Sequence, residues 1–205
     1  ELDPDNPNLQ HRYGLHLLYR GRFEEAAARF QAASRADPLS PLLQVAMGLP
    51  AHFARQPDKA VAAFRHAVTL TPQFLIGRVM LGLALVEIGK MEEAIASFEK
   101  GLAIAEMPDA LAMLGHAFAR AGRAEDARGV LARLDRLASS RYVNDYGRAL
   151  IHLALGEREL ALDRLERAVE ARCELLVYLG IDPRLDPIRA EPRFHGMLAK
   201  VGLVT

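Results

Sequence analysis

The chain has no tryptophan and a single cysteine, Cys173, among its 205 residues. One thiol cannot form an internal disulfide, so no disulfide framework holds the fold. Neither sign of charge predominates: 26 basic side chains balance 26 acidic ones. A binder of nucleic acid or of an acidic membrane surface ordinarily carries a basic excess, and this chain has none. No apolar run comes near the roughly 20 residues that span a bilayer. No charged-then-apolar leader opens the chain. These absences point to a cytoplasmic protein with neither nucleic acid nor membrane as its partner. β-branched residues are sparse, whereas Ala and Leu abound and 51% of the residues are apolar. That is the composition of an all-α protein with ample material for a core.

What the chain does have is repetition, which is sought before any other pattern. Glu25-Ala26-Ala27-Ala28-Arg29-Phe30 returns 34 positions on as Lys59-Ala60-Val61-Ala62-Ala63-Phe64. It returns again as Glu93-Ala94-Ile95-Ala96-Ser97-Phe98, then as Asp126-Ala127-Arg128-Gly129-Val130-Leu131 and Leu160-Ala161-Leu162-Asp163-Arg164-Leu165. Twelve residues before those phased alanines stand Gly14, Gly48, Gly82, Gly115 and Ala149. Five residues before them stand Gly21, Arg55, Gly89, Gly122 and Gly156. Each unit reads as two helices. In the third, Phe74 to Ile88 is apolar on most turns and ends at Gly89, a natural C-cap, and Met91 to Ala105 carries apolar residues at helical spacing. Two antiparallel helices joined by a tight turn must approach closely, and Gly82 with Ala94 permits that, Phe98 filling the space beside them. Ser40-Pro41 and Thr71-Pro72 read as a capping hydroxyl before a first-turn proline. Pro50 falls inside an expected helix, where it removes an N–H and crowds the carbonyl four residues back. A bend or break is predicted near 46–50; a tolerated kink is the favoured reading, and a groove widened at His52 and Phe53 is the functional alternative.

These residues resemble the tetratricopeptide repeat, whose 34-residue unit has a small residue at its eighth place, Gly or Asn near its fifteenth and Ala at its twentieth. An aromatic follows at its twenty-fourth place, Ala at its twenty-seventh and Pro at its thirty-second. The resemblance implies a right-handed α-solenoid of about five helix-turn-helix repeats, at 7–40, 41–74, 75–107, 108–141 and 142–175. Ala33, Ala67 and Ala168 fit the twenty-seventh place and Pro38 and Pro72 the thirty-second, while Gly101, Leu134, Glu106, Ser139 and Cys173 depart. Residues 1–6 look like the tail of a preceding repeat, with Pro4 in the proline place, so the chain is expected to be part of a longer protein. Residues 176–205 read as a C-terminal capping segment. There Asp182-Pro183, Asp186-Pro187 and Glu191-Pro192 each suggest a capped start, and a short helix is expected from Pro192 to Val201. Leu176, Leu179, Phe194 and Leu198 are its candidates to cover the last apolar face. The stretch from Arg141 to Phe194 also resembles the C-terminal repeat region of bacterial multidomain signalling proteins, in which such repeats follow winged-helix regulators, nucleotide cyclases or protein kinases. That likeness implies a regulatory setting.

In a stack of helix pairs the first helices line one wall. The repeat phase puts Leu15, Leu18 and Tyr19 there from the first unit, and Leu42, Val45, Leu49 and His52 from the second. Ile76, Val79, Leu83 and Val86 follow from the third, and Asp109, Ala112 and His116 from the fourth. Of these, Leu15, Tyr19, Val45, Leu49, His52, Val79, Leu83, Val86 and His116 are the candidate peptide-binding groove. The competing reading is that these side chains pack between neighbouring first helices. Some members of the family grip a peptide's C-terminal carboxylate with Lys, Arg and Asn. The matching places here are mostly Leu, Val and Ile, so that clamp is not expected. An apolar groove suits an amphipathic helix or a neighbouring domain.

Chemistry is poorly provided for. His11, His16, His52, His66, His116, His152 and His195 are scattered, and none forms a helical His-Glu-x-x-His metal motif. Cys173 reads as a small buried thiol. Gly89-Lys90 lacks the flanking Gly and Ser/Thr of a phosphate loop. No catalytic residue, metal or cofactor is expected. Residues 118–148 hold Arg120, Arg123, Arg128, Arg133, Arg136, Arg141 and Arg148 against Glu125, Asp126, Asp135 and Asp145. Residues 86–109 hold Glu87, Glu92, Glu93, Glu99, Glu106 and Asp109 against Lys90 and Lys100. Solvated helix faces with local ion pairs are the favoured reading of both clusters, and a basic face touching an acidic partner or nucleic acid is the alternative. The expected function is a scaffold that binds a peptide, helix or neighbouring domain, its own upstream domain included. Self-association as a homo-oligomer is the alternative, and a ligand-sensing or catalytic groove is the third.

Overall fold

A computed structural model describes residues 6–203, and among these all regular structure is helical, with no strand. The chain forms two compact units that divide between Ala105 and Glu106. The first holds three helix pairs: α1 (Pro7–Tyr19) with α2 (Phe23–Ala36), then α3 (Pro41–Ala46) and α4 (Leu49–Phe53) with α5 (Pro57–Leu70), then α6 (Leu75–Glu87) with α7 (Met91–Leu102). The second holds α8 (Pro108–Arg120) with α9 (Ala124–Leu137) and α10 (Asp145–Ala154) with α11 (Arg158–Glu170). Two 3-10 segments, Glu174–Tyr178 and Pro183–Ile188, and a final helix α12 (Pro192–Lys200) complete it.

The phased small residues sit where two helices cross. Ala26, Ala60, Ala94, Ala127 and Ala161 are all fully buried. Gly14, Gly48 and Gly82 lie under the rings of Phe30, Phe64 and Phe98, so a Cβ at each glycine would fall 2.5, 2.4 and 2.7 Å from ring carbon. The glycine's partner is therefore the aromatic itself, not the alanine beside it. The fourth pair differs from its sequence phase. A Cβ on Gly115 would meet Val130 and Ile151, both at 2.7 Å, while Leu131 is only half-buried. Val130, one residue before the phased position, fills the space together with Ile151.

The tight turns share one geometry. Gly21, Gly89, Gly122 and Gly156 all adopt positive φ, and so does Arg55 at the same place in the second repeat. In the first turn the Arg22 N–H donates to the Leu17 carbonyl at 2.9 Å and the Gly21 N–H to the Leu18 carbonyl at 2.9 Å. The same double bond closes α4, α6, α8 and α10. This is the Schellman motif, in which a left-handed residue lets two orphan carbonyls be satisfied. Arg172 closes α11 in the same way, at φ +52. A side chain is strained in that region, so Arg172→Gly should raise stability by about 0.5–1 kcal/mol, read as a higher urea midpoint by circular dichroism.

The break near Pro50 is present: α3 stops at Ala46 and α4 starts at Leu49, with Pro50 in its first turn. Residues 1–5, and with them Pro4, lie outside the described residues. Asn6, grouped with that tail on sequence, instead caps α1, its side chain accepting the N–H groups of Asn8 at 3.0 Å and Leu9 at 3.2 Å. Thr71-Pro72 does not open a helix. The Thr71 hydroxyl donates back to the Ala67 carbonyl at 2.9 Å and so serves the end of α5, and α6 begins only at Leu75. Pro187 likewise falls inside the second 3-10 segment and starts nothing new.

Candidate functional site

In the first unit the first helices α1, α3, α4 and α6 carry the expected apolar wall. The structure sorts its members by depth. Leu15, Tyr19, Leu49 and Val79 are half-buried. Val45, His52, Leu83 and Val86 are buried and offer no accessible surface. The most exposed apolar side chains of the wall are Leu42 and Ile76, 44% and 41% exposed at matching places on α3 and α6. His52 is committed within the unit: its Nδ1 lies 3.2 Å from Glu87 Oε1, and its ring meets Phe53 edge-on at 4.8 Å. Because His52 and Phe53 are both buried, the break before Pro50 does not widen the wall at them. It leaves instead a shallow cavity of about 190 Å³ between α2 and α4, lined by Phe23, Ala27, Met47, Pro50 and Ala54.

In the second unit the corresponding face belongs to α8 and α10, and the chain's own C-terminal segment lies on it. Tyr146 stands at the same place in its repeat as Val45, Val79 and Ala112. Its hydroxyl donates to Asp182 Oδ2 at 2.8 Å. Asp182 is fully buried, and it also accepts from the Arg184 backbone N–H at 3.0 Å and from Arg184 Nε and Nη2 at 2.9 and 2.7 Å. Burial alone would raise the Asp182 carboxyl, but the Arg184 charge and its hydrogen bonds overcome that and hold it at about 2. Arg189 fastens the same loop, donating to the carbonyls of Gly180 at 3.0 Å and Asp182 at 2.8 Å. Leu179, Leu185 and Ile188 are fully buried beneath it.

Arg184 also reaches α8, with Nη1 2.6 Å from Met113 Sδ. His116, expected on the groove wall, is buried here. Burial, with the nearby charges of Arg184 and Arg120, lowers its pKa to about 3, so the ring is neutral. Its Nδ1 has no hydrogen-bond partner among the described residues. The final helix does a different job. Arg193 of α12 reaches Glu159 at 3.0 Å and Asp163 and Glu166 at 2.7 Å on α11, with Phe194 and Met197 buried between. Leu198, expected in that contact, is half-buried. Met113, Tyr146, Asp182 and Arg184 were not among the sequence-derived site residues. Asp182 was legible only as a helix cap, which it also is.

The remaining expected chemistry resolves into structure. Among the described residues no group of three His, Cys, Asp or Glu side chains could hold a metal ion. None of the described helices is long and apolar enough to cross a membrane. Cys173 is buried, which pushes its thiol pKa up. The arginines of the basic stretch pair locally, Arg123 with Asp126, Arg128 with Glu157, and Arg133 and Arg141 with Glu106.

A family model described as tetratricopeptide repeat matches residues 13–73, 45–106 and 79–141. Together these cover well over half of the chain, which belongs to the tetratricopeptide repeat family. No curated protein matches it. Among solved structures, the chain is similar to a thermophilic tetratricopeptide protein of Thermus thermophilus, at 19% identity and a TM-score of 0.67 over 87% of this chain and 98% of that one. It is similar to yeast Tom70 at 15% identity and 0.60, over 99% of this chain and 44% of that one. YrrB, described as a tetratricopeptide protein with an unusual peptide-binding site, aligns at 17% identity and 0.50 over 86% and 92%. These likenesses establish the helical repeat fold.

Proposed function

We propose that the chain is a scaffold that binds a protein segment on the first-helix wall of its first unit. The supporting observation is the paired exposure of Leu42 and Ile76 at matching repeat positions, with Leu49 and Val79 half-buried on the same wall. Two large apolar side chains held on preformed helices offer a surface that an amphipathic helix or extended segment can bury. Membership of a family whose solved members include YrrB, with its described peptide-binding site, fits this reading. A place within a cytoplasmic bacterial signalling protein, beside a regulatory domain, is the finer form of the same proposal and rests on the likeness of residues 141–194. No reaction is part of it.

The test is capture by the tagged chain, comparing the parent with the Leu42→Asp, Ile76→Asp double variant. Both sites are exposed, so stability should change little. The expected result is at least a tenfold loss of the protein that co-purifies with the parent, at an unchanged melting temperature. Equal capture by both refutes the assignment. Self-association is the second reading, favoured by Leu9 and Tyr13, 38% and 43% exposed on α1. Sedimentation over a range of concentrations separates the two, a concentration-independent monomer rejecting self-association.

A further inference from the structure

The C-terminal segment contains two parts with different attachments. Helix α12 covers α11 at the end of the second unit, through Arg193 and Phe194. The stretch between Leu179 and Ile188 instead lies across the first-helix face, touching α10 through Tyr146 and α8 through Met113. Its contacts extend from α10 to α8, where Met113 lies 71 residues upstream of Arg184. On the groove reading proposed above, this is the face on which a bound peptide would lie. We propose that residues 179–188 are an intramolecular ligand, an autoinhibitory strap seated in the second unit's own peptide site. We further propose that this site recognises a turn-forming segment with a carboxylate two residues before an arginine.

The recognition chemistry is written in the contacts. The buried Tyr146 hydroxyl demands an acceptor, and the Asp182 carboxylate supplies it at 2.8 Å. Pro183 preorganises the turn that brings Arg184 back onto that carboxylate, so the acidic side chain arrives already paired and its burial costs less. Small apolar sockets take Leu185 and Ile188. The fit is incomplete at His116, whose Nδ1 stays buried without a partner among the described residues, a state that costs free energy. Residues 183–188 of the strap form a 3-10 segment, whose hydrogen bonds are poorer than those of an α-helix. The inference extends the peptide-groove reading to the second unit. Its test does not involve the partner of the first unit, so either reading can fail alone.

The probe is a fluorescent synthetic peptide of residues 178–190, added to the full chain and followed by anisotropy. The parent should bind it weakly, because its site is filled. The Asp182→Asn variant, whose own strap is loosened, should bind it at least tenfold more tightly, and a peptide with Asn at the Asp182 position should lose that gain. Equal affinities for parent and variant, with both folded, overturn the proposal. Amide exchange of the unmutated chain decides the matter should the variant not fold. Strap amides at 179–189 should exchange at least tenfold faster than those of Leu150 and Ile151 in α10. Exchange of both at one rate would make the segment an integral part of the core and sink the idea.

Discussion

Asp182→Ala is expected to cost the seating of residues 179–188 on the second unit about 3–5 kcal/mol, the range for breaking one partner out of a buried charge pair. Asp182 is wholly buried, Arg184 is mostly so, and the Tyr146 hydroxyl would lose its acceptor at the same time. The loss should appear as an early phase in urea unfolding followed by circular dichroism. A change below about 1 kcal/mol, the level of an exposed pair, would mean that water enters the site freely. The same groups set the response to acid. The Asp182 carboxyl is depressed to about 2 in the fold, below its ordinary 3.8. Its contribution is therefore fully present above about pH 4 and fades as pH falls towards 2. His116 is held neutral, at about 3 against 6.5. Unfolding lets it take up a proton, so stability should begin to decline once pH drops below about 6.5. His116→Gln should flatten that upper part of the profile, and an unaltered slope between pH 6 and 4 would assign it elsewhere.

The second large effect is expected from Ala94→Phe. Ala94 is fully buried at the crossing of α6 and α7, beside the contact of Gly82 with the Phe98 ring. No void accepts a phenyl group there, and overpacking of this kind costs about 1–3 kcal/mol or more. Ala62→Phe is the control: Ala62 lies two residues after the equivalent alanine of the second repeat and faces solvent. Its effect should stay within about 0.5 kcal/mol. A similar urea midpoint for both variants would show that the alanine phase does not mark the crossing.

The parts of the molecule visible in its sequence are those fixed by local spacing. The alanine phase located the crossing in each of the five hairpins, and the residue five places earlier located the turn within each, Arg55 included, because both depend only on the geometry of one hairpin. Failures began where a residue could serve either neighbour. The Thr71 hydroxyl completes α5 rather than starting α6, and Val130, shared with Ile151 of the next pair, takes the place that phase gives to Leu131. Phase assigned His52, Leu83, Val86 and His116 to the right helices but not to a depth, since depth depends on what packs above them. The contacts of Tyr146 with Asp182 and of Met113 with Arg184 join residues 36 and 71 positions apart, and no periodicity reports such pairings.

The placement of Gly14, Gly48 and Gly82 beneath Phe30, Phe64 and Phe98 has a kinetic consequence. Each contact closes within sixteen positions of chain (14 to 30, 48 to 64, 82 to 98). Little loop entropy is spent before such a contact forms, so a hairpin can assemble early and fast. In a repeat array, order can then start at any one hairpin and spread to its neighbours, with the sturdiest pair acting as the seed.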